Sequence, residues 1–217
     1  MVNTMKLNSI IFTIILSTSF LFMTGCTNKN NKSEIKQQDT TAILTKKSNT
    51  DNMEMMKSMN NMNDKMTGIK MTGDYDFDFA KMMIEHHRGA IEMSEIELTS
   101  GTNPKMRTMA QNIIAAQKDE IMKMEEFIKK HTVVKSNHKM GIMDSMDEKF
   151  KENKMTGNLD KDFAIMMIIH HQIAVKMAEG EVSNGHHLGI KNMAQQMIAD
   201  QSKEITEFQS WLDNKKQ

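Results

Sequence analysis

Cysteine, proline and aromatic residues are scarce in this chain. Its 217 residues include one cysteine, Cys26, one proline, and aromatic residues at only 5%. A single cysteine excludes an internal disulfide bond and a metal site built from several thiolates. Because proline is almost absent and β-branched residues do not cluster, the composition favours helices throughout the chain.

An excess of charge of either sign is also missing. The 28 Lys and Arg residues balance the 28 Asp and Glu residues, so the formal net charge is zero. A chain without a net field is not expected to bind nucleic acid. The sequence also lacks a glycine-rich phosphate loop and a serine-centred nucleophile elbow. We therefore do not expect the protein to be an enzyme.

Methionine is abundant, with 26 residues, and it occurs within a repeated sequence. The stretch DFAKMMIEHHRGAIEM at residues 78–93 returns as DFAIMMIIHHQIAVKM at residues 162–177, a constant 84 residues later. The similarity continues without a gap from residues 71–130 to residues 155–214. Codon bias can supply some of the methionine, but it does not explain methionines at matching positions. The chain therefore contains an internal duplication.

The first residues predict export. Residues 1–25 read as a signal peptide, with Lys6 before an apolar run from Ile10 to Met23 that is too short for an ordinary spanning helix. Met-Thr-Gly followed by Cys26 is similar to a bacterial lipobox, with Met23 where leucine is more usual. We predict cleavage before Cys26 and lipid attachment to its sulfur. A simple signal peptide with an incidental cysteine is the alternative.

Composition divides the remainder into two parts. Residues 26–50 are mostly polar and are predicted to form a flexible tether, because they cannot bury enough apolar surface to fold. Residues 51–217 are predicted to form one duplicated all-α domain, with repeats at about 52–131 and 138–217. This length is sufficient for a single helical core.

Each repeat is predicted to contain three helices. The first is a short methionine-rich helix whose apolar face consists of Met55, Met59, Met62 and Met66 in repeat one and Met140, Met143, Met146 and Phe150 in repeat two. A histidine-bearing helix, from about Tyr75 to Leu98 in repeat one, and a return helix ending near Lys130 follow. Short connections make the two long helices antiparallel neighbours, so two such hairpins predict a four-helix bundle.

A pair of adjacent histidines stands among methionines in each repeat. Thioether sulfur suits Cu(I), and imidazole binds several borderline metals including copper. Spacings of three, four and seven residues place these donors on one helix face. The predicted ligands are Met83, His86, His87, Met93 and Met109 in repeat one, and Met167, His170, His171, Met177 and Met193 in repeat two. Glu120 and Glu204 are predicted as possible hydrogen-bond acceptors that orient a ligand histidine.

Three other interpretations remain open at this point. Methionines at helical spacing are often ordinary core residues. Glu97 and Glu181 can be helix-end residues, partners of histidine or ligands of a harder ion, and they raise the alternative of a di-iron or di-manganese oxidase. No histidine, however, has a glutamate three residues before it, as such sites require. The third alternative is a methionine-rich module that binds a protein partner or scavenges oxidants without metal.

The two copies of the D-F-A-x-M-M-I-x-H-H sequence resemble the domain-of-unknown-function-305 family, whose better understood members are exported copper-binding proteins of the CopM type. The resemblance covers residues 74–211 and implies a ferritin-like helical bundle with copper binding outside the cytoplasm. The residues matching the family pattern are Met83, His86, His87 and Met93, and Met167, His170, His171 and Met177.

The sequence thus predicts an extracytoplasmic lipoprotein, anchored to the membrane, that binds copper with Cu(I) favoured. Its expected roles are sequestration, tolerance or delivery of the metal. A partner protein that receives copper and an oligomeric state are both possible, and neither can be assigned from the sequence.

Overall fold

The part of the chain that the structure describes is helical throughout. A computed structural model describes residues 38–135 and 155–214, with side chains from residue 50 onward. Its helices are α1 (Gln38–Thr67), α2 (Tyr75–Ser100), α3 (Pro104–Lys130), α4 (Leu159–Asn184) and α5 (Leu188–Asn214). None of these helices has the length and apolarity needed to cross a membrane. The predicted signal peptide, Cys26 and the second methionine-rich helix at Met140, Met143, Met146 and Phe150 lie outside the described residues.

Two helical hairpins form the bundle. Helix α2 packs along α3, helix α4 packs along α5, and the two histidine-bearing helices α2 and α4 contact each other. The turn before α3 has the predicted cap, because the Asn103 side chain accepts hydrogen bonds from the backbone of Lys105 and Met106, and Pro104 occupies the first turn. The predicted all-α bundle is confirmed.

Helix α1 is longer than the short methionine-rich helix expected from the sequence. It begins at Gln38, so residues 38–50 are helical where the sequence analysis placed a flexible tether. No glycine or proline interrupts the chain between residues 38 and 67, and continuing an existing helix costs far less than starting one. The helix packs mainly against α2.

Methionine is the commonest apolar residue of the core. The face predicted for α1 is buried, with Met55, Met59, Met62 and Met66 between 0 and 3% exposed. The long helices add further buried methionines, together with Phe79, Phe163 and Phe208. Unbranched thioether side chains adapt to irregular gaps, so a core built from them packs without a precise fit of rigid shapes.

Helices α1 and α2 approach each other most closely at Gly89. A β-carbon at this position would lie 2.7 Å from Met62 Sδ and 2.9 Å from Met62 Cβ, which is closer than β-carbons are found in proteins. The equivalent residue of α4 is Ile173, whose side chain is buried. In α2 the side chain of Met62 lies beside Gly89 instead. The absence of a side chain at Gly89 thus allows α1 to pack against α2.

We expect Gly89→Ala to destabilise the protein by about 1–3 kcal/mol, because the added methyl group overpacks the contact with Met62. Alanine is otherwise the better helix former, so a loss of stability isolates the steric effect. Thermal and denaturant unfolding of the full chain measure it. Gly189→Ala, in the exposed first turn of α5, is the control. Its β-carbon would lie 3.1 Å from Cε1 of His187, an exposed side chain that can move aside, so this substitution is expected to be neutral or stabilising. Equal effects of the two substitutions would show that close packing at Gly89 is unimportant.

Candidate metal centre

The two histidine pairs meet at the centre of the bundle. His86, His87, His170 and His171 are all 0% exposed. The rings of His86 and His170, from opposite repeats, lie 3.6 Å apart between centroids with an interplanar angle of 36°. His170 Nε2 donates a hydrogen bond to the backbone carbonyl oxygen of His86 at 2.9 Å. The duplicated sequences are therefore in direct contact with each other.

The second histidine of each pair faces the return helix of its own hairpin. His87 Nε2 lies 2.7 Å from Glu120 Oε2, and the two atoms form a hydrogen bond. His171 Nε2 lies 2.6 Å from Glu204 Oε2. The atoms of His171 and Glu204 are close enough for an ion pair, but their geometry is not that of a hydrogen bond. The structure thus places both predicted carboxylates beside a histidine, as expected for groups that orient the ring.

These contacts determine which ring nitrogen can act as a ligand. A carbonyl oxygen only accepts, so His170 carries its proton on Nε2, and its Nδ1 has a lone pair. A hydrogen bond from the His87 Nε2–H to the Glu120 side chain makes the same assignment for His87. The Nδ1 atoms of His87, His170 and His171 are buried without a hydrogen-bond partner, and His86 has no partner at either nitrogen. Each such orphaned group costs about 1–3 kcal/mol, so their concentration at one place suggests a binding function.

The two central rings are held in the neutral form. Burial lowers the pKa of His86 well below its usual value, and the neighbouring imidazoles of His170, His87 and His171 lower it further. Burial and the nearby His171 likewise lower the pKa of His170, against the opposing effect of its hydrogen bond to the His86 carbonyl. A neutral imidazole presents a lone pair, so these residues do not need to lose a proton before they bind a metal.

The predicted methionine ligands differ in exposure between the repeats. Met83, Met93, Met167 and Met177 are 0% exposed on the histidine-bearing helices. Met109 on α3 is 6% exposed, whereas its counterpart Met193 on α5 is half-buried. The return helices therefore do not offer equivalent surroundings at these two positions.

The donor chemistry fits copper better than a hard metal ion. Thioethers and imidazoles are the soft and borderline donors near the centre, and they suit Cu(I). The carboxylates beside them are those of Glu120 and Glu204, each next to one histidine. Among the side chains that the structure describes, in residues 50–135 and 155–214, no three from His, Cys, Asp or Glu are placed together to hold a metal ion. The carboxylate-rich centre required by the oxidase alternative is therefore not assembled in this part of the chain.

Glu97 and Glu181 lie at the ends of α2 and α4, away from the histidine rings. Each is 0% exposed and interacts with an aspartate at the start of the other long helix: Glu97 with Asp160, and Glu181 with Asp76. Burial, followed by the hydrogen bond to the aspartate and the aspartate's charge, raises the pKa of each glutamate to about 9. Of the three roles left open by the sequence, the structure supports that of a helix-end residue.

The aspartate of each pair also binds the turn of the opposite hairpin. Asp160 accepts hydrogen bonds from the backbone N–H groups of Thr102 and Asn103 at 2.9 and 2.8 Å. Burial alone would raise the pKa of Asp160, but these bonds, the Thr102 hydroxyl and Glu97 lower it overall. With the pKa of Glu97 raised and that of Asp160 lowered, the glutamate is the member of the pair that keeps its proton at neutral pH. Gly101 leaves room for the Glu97 carboxyl group, because a β-carbon at position 101 would lie 2.0 Å from Glu97 Oε1.

Sequence reasoning missed these aspartates as structural residues. Asp76 and Asp160 occupy equivalent positions at the start of the two histidine-bearing helices, and Glu97 and Glu181 are equally matched. The duplication shows that these residues recur, but it does not indicate which aspartate each glutamate meets.

Comparison with known proteins gives consistent matches. The model of the domain of unknown function DUF305 matches residues 22–128 and 129–212. Among solved structures, CopM in the Cu(I)-bound form is 31% identical, with a TM-score of 0.51 over 64% of this chain and 96% of that one. CopM in the Cu(II)-bound form is 29% identical, with a TM-score of 0.52 over 64% and 97%.

A third structure supports the fold alone. It is a DUF305 fragment from Deinococcus radiodurans, 18% identical, with a TM-score of 0.50 over 64% of this chain and 96% of the fragment. No protein with a curated description matches the chain.

We expect Glu97→Gln with Glu181→Gln to alter how stability depends on pH. Because folding raises the pKa of these acids from about 4.5 to about 9, their contribution is complete below pH 4.5 and is lost as the pH rises through 9. Glutamine retains a donor for the aspartate and cannot ionise. Unfolding midpoints measured from pH 5 to 10 should therefore fall less steeply in the double variant than in the parent.

Replacement of the exposed Glu54 and Glu179 by glutamine is the matched control. In this variant the unfolding midpoint should fall with pH as steeply as in the parent. At the acid end, Asp76 and Asp160 act in the opposite direction. Their pKa values are lowered in the folded protein, so their contribution is lost as the pH falls below 3.8. Parallel curves for parent and glutamine variant across the alkaline range would contradict the assignment.

Proposed function

The chain belongs to the DUF305 family, and we propose that it binds copper, chiefly Cu(I), at two sites built from the histidine and methionine side chains of α2 and α4. One observation carries this proposal. The histidines at the centre have ring nitrogens without hydrogen-bond partners, although they are completely buried among methionines. Buried ring nitrogens without a partner destabilise a core that only packs, so their presence in both repeats supports a binding role.

The proposed ligands of the first site come from Met83, His86, His87 and Met93, and those of the second from Met167, His170, His171 and Met177. Neutral donors stabilise Cu(I), which prefers soft thioethers and also accepts imidazole. Glu120 and Glu204 orient the rings of His87 and His171 and leave Nδ1 directed away from the carboxylate. Met109 and Met193 are candidates for an additional sulfur ligand.

The relatives support the choice of metal. CopM structures at 29–31% identity are named as Cu(I)-bound and Cu(II)-bound forms, and two further ones at 30% identity are Ag-bound forms. Silver and Cu(I) are both soft monovalent ions. A protein that places thioethers beside neutral imidazoles is suited to either of them.

Complete burial favours holding the metal over chemical turnover. A substrate needs an open coordination position, whereas ligands that are 0% exposed surround an ion and keep water away. We therefore propose sequestration, tolerance or delivery of copper, without catalysis. The signal peptide and lipobox predicted from the sequence support a location outside the cytoplasm, where the lipid on Cys26 would hold the protein at a membrane.

We expect His86→Ala with His170→Ala to lower the Cu(I) affinity by more than about 100-fold. Loss of a ligand should exceed the roughly 10- to 100-fold effect of losing a group that only orients one. Competition against a chromogenic Cu(I) chelator measures the affinity of the full chain, with Zn(II) and Fe(II) titrated in parallel. A preference for Fe(II) would instead favour the oxidase alternative.

Met83→Leu with Met167→Leu provides a second test that preserves core volume. Leucine replaces the thioether at a cost of less than about 1.5 kcal/mol, so the fold is retained even if the histidine variant unfolds. The Cu(I) affinity should again fall. Unchanged binding in both double variants would show that these side chains are packing residues and that copper, if bound, is held elsewhere.

We expect Glu120→Gln with Glu204→Gln to weaken Cu(I) binding by about 10- to 100-fold, because an amide fixes the neighbouring ring less strongly than a carboxylate. The same competition titration measures the effect. Glu125→Gln with Glu207→Gln is the matched control, since these residues lie on the same two helices and pair only with surface cations. Equal affinities of the two double variants would contradict an orienting role.

A further inference from the structure

Three histidines lie together at one end of the bundle, away from the central pairs. His186 and His187 form the turn between α4 and α5, and His131 follows the last residue of α3. The rings of His131 and His187 lie 6.3 Å apart between centroids. Phe127 packs against both rings, at 4.6 and 4.8 Å. Two different hairpins therefore contribute imidazoles to one place.

The turn does not require these imidazoles. In the other hairpin the equivalent residues are Thr102 and Asn103, and their backbone N–H groups bind Asp160. The N–H groups of His186 and His187 bind Asp76 in the same way, at 2.8–3.0 Å. The backbone arrangement is thus independent of the side chains.

Helix capping does not explain the histidine at position 187 either. Asn103 Oδ1 accepts from the Met106 N–H at 3.2 Å, and His187 Nδ1 accepts from the Ile190 N–H at 3.3 Å. Asparagine is among the preferred capping residues and histidine is not. The Ile190 N–H also donates to the His187 carbonyl oxygen at 3.0 Å. If the imidazole turns away, this N–H therefore still has a hydrogen-bond acceptor. His187 can therefore leave the cap at little cost.

Each of the other two rings already donates one N–H to an oxygen and keeps a lone pair on its second nitrogen. His131 Nε2 lies 2.7 Å from Asp74 Oδ2, so its N–H donates to the carboxylate and the lone pair is on Nδ1. His186 Nδ1 donates to the Asn184 carbonyl oxygen at 2.9 Å, which leaves the lone pair on Nε2. Metal-binding histidines typically donate their other N–H to a carboxylate or a carbonyl in this manner.

A cavity of about 330 Å³ connects these groups, and its walls include His131, His186, His187, Asp74 and Asp76. Asp74 accepts hydrogen bonds from His131 and from the Val134 N–H, both at 2.7 Å. Asp76 accepts from the N–H groups of His186 and His187. The carboxyl groups of both aspartates therefore lie beside the three histidines.

We propose that His131, His186 and His187 form a second kind of metal site, for a divalent ion of borderline softness such as Cu(II) or Zn(II). Imidazole suits both ions, and the described residues that line the cavity include no thioether to favour Cu(I). With metal–nitrogen bonds of about 2.0–2.1 Å, two ligand rings have centroids about 5–6 Å apart. The rings do not converge on one point as they stand. The exposed His186 and His187 must therefore rotate, and water completes the coordination.

The test is the double variant His186→Thr with His187→Asn, which gives this turn the residues of the other hairpin and should fold normally. Zn(II) and Cu(II) titrations of the full chain should show the loss of one equivalent of divalent metal, with affinity at that site reduced by more than about 100-fold. In the parent, Cu(II) electron paramagnetic resonance should show coupling to more than one nitrogen. His131→Gln, which keeps a donor for Asp74, should cause the same loss.

Competition titration with Cu(I) distinguishes the divalent site from the proposed Cu(I) sites at the centre. Neither proposal depends on the other. The variants of the turn should keep the Cu(I) affinity of the parent, whereas His86→Ala with His170→Ala should keep the divalent site. The proposal is overturned if the variants of the turn and His131→Gln bind Zn(II) and Cu(II) as the parent does. It is also overturned if divalent binding disappears only when the central histidines are replaced.

Discussion

The antiparallel contact between α2 and α4 is the constraint on which the rest of the structure depends. At its middle, the rings of His86 and His170 stack and His170 donates to the backbone of His86. At its ends, a neutral glutamic acid on one helix meets an ionised aspartate on the other. Each aspartate also binds the turn of the opposite hairpin. Both long helices are thereby fixed in register along their length.

Methionine allows the same side chains to pack the core and to serve as donors. A branched aliphatic core would bury the histidines without offering them any compensating interaction. Thioether sulfur is apolar enough to be buried at no large cost and soft enough to share a metal ion with imidazole. Methionines recur at matching positions on the histidine-bearing helices and also, at Met109 and Met193, on the return helices.

The two repeats have kept their centre and changed at their edges. The histidine pairs, the glutamates that contact them and the carboxyl pairs at the helix ends are all duplicated. Gly89 and Ile173 differ, because α1 packs closely on α2 at Gly89. The turns differ as well, with Thr102 and Asn103 in one hairpin and His186 and His187 in the other. The centre of the bundle is therefore twofold, whereas the histidines of the turn between α4 and α5 have no counterpart in the other hairpin.

The amino-acid pattern was sufficient to predict the long helices, their buried faces and the duplicated arrangement of two hairpins. These features depend on local properties: the helical period of the methionines, the capping residue Asn103 with Pro104, and connections too short to allow any but antiparallel neighbours. The proximity of Glu120 to the histidine-bearing helix followed from the same hairpin geometry. The start of α1 at Gln38 was not predicted, because a polar composition alone does not exclude a helix.

Only the tertiary structure decided which groups meet across the two repeats. Glu97 and Asp160 are separated by most of a repeat, and His131 and His187 belong to different hairpins. Their contact depends on the register and rotation of α2 against α4, which no local pattern encodes. The burial of both histidine pairs, and hence the neutral state of His86 and His170, depends on the same packing. The sequence therefore specified the histidines and methionines, whereas the contact between the two hairpins created the buried environment that keeps His86 and His170 neutral.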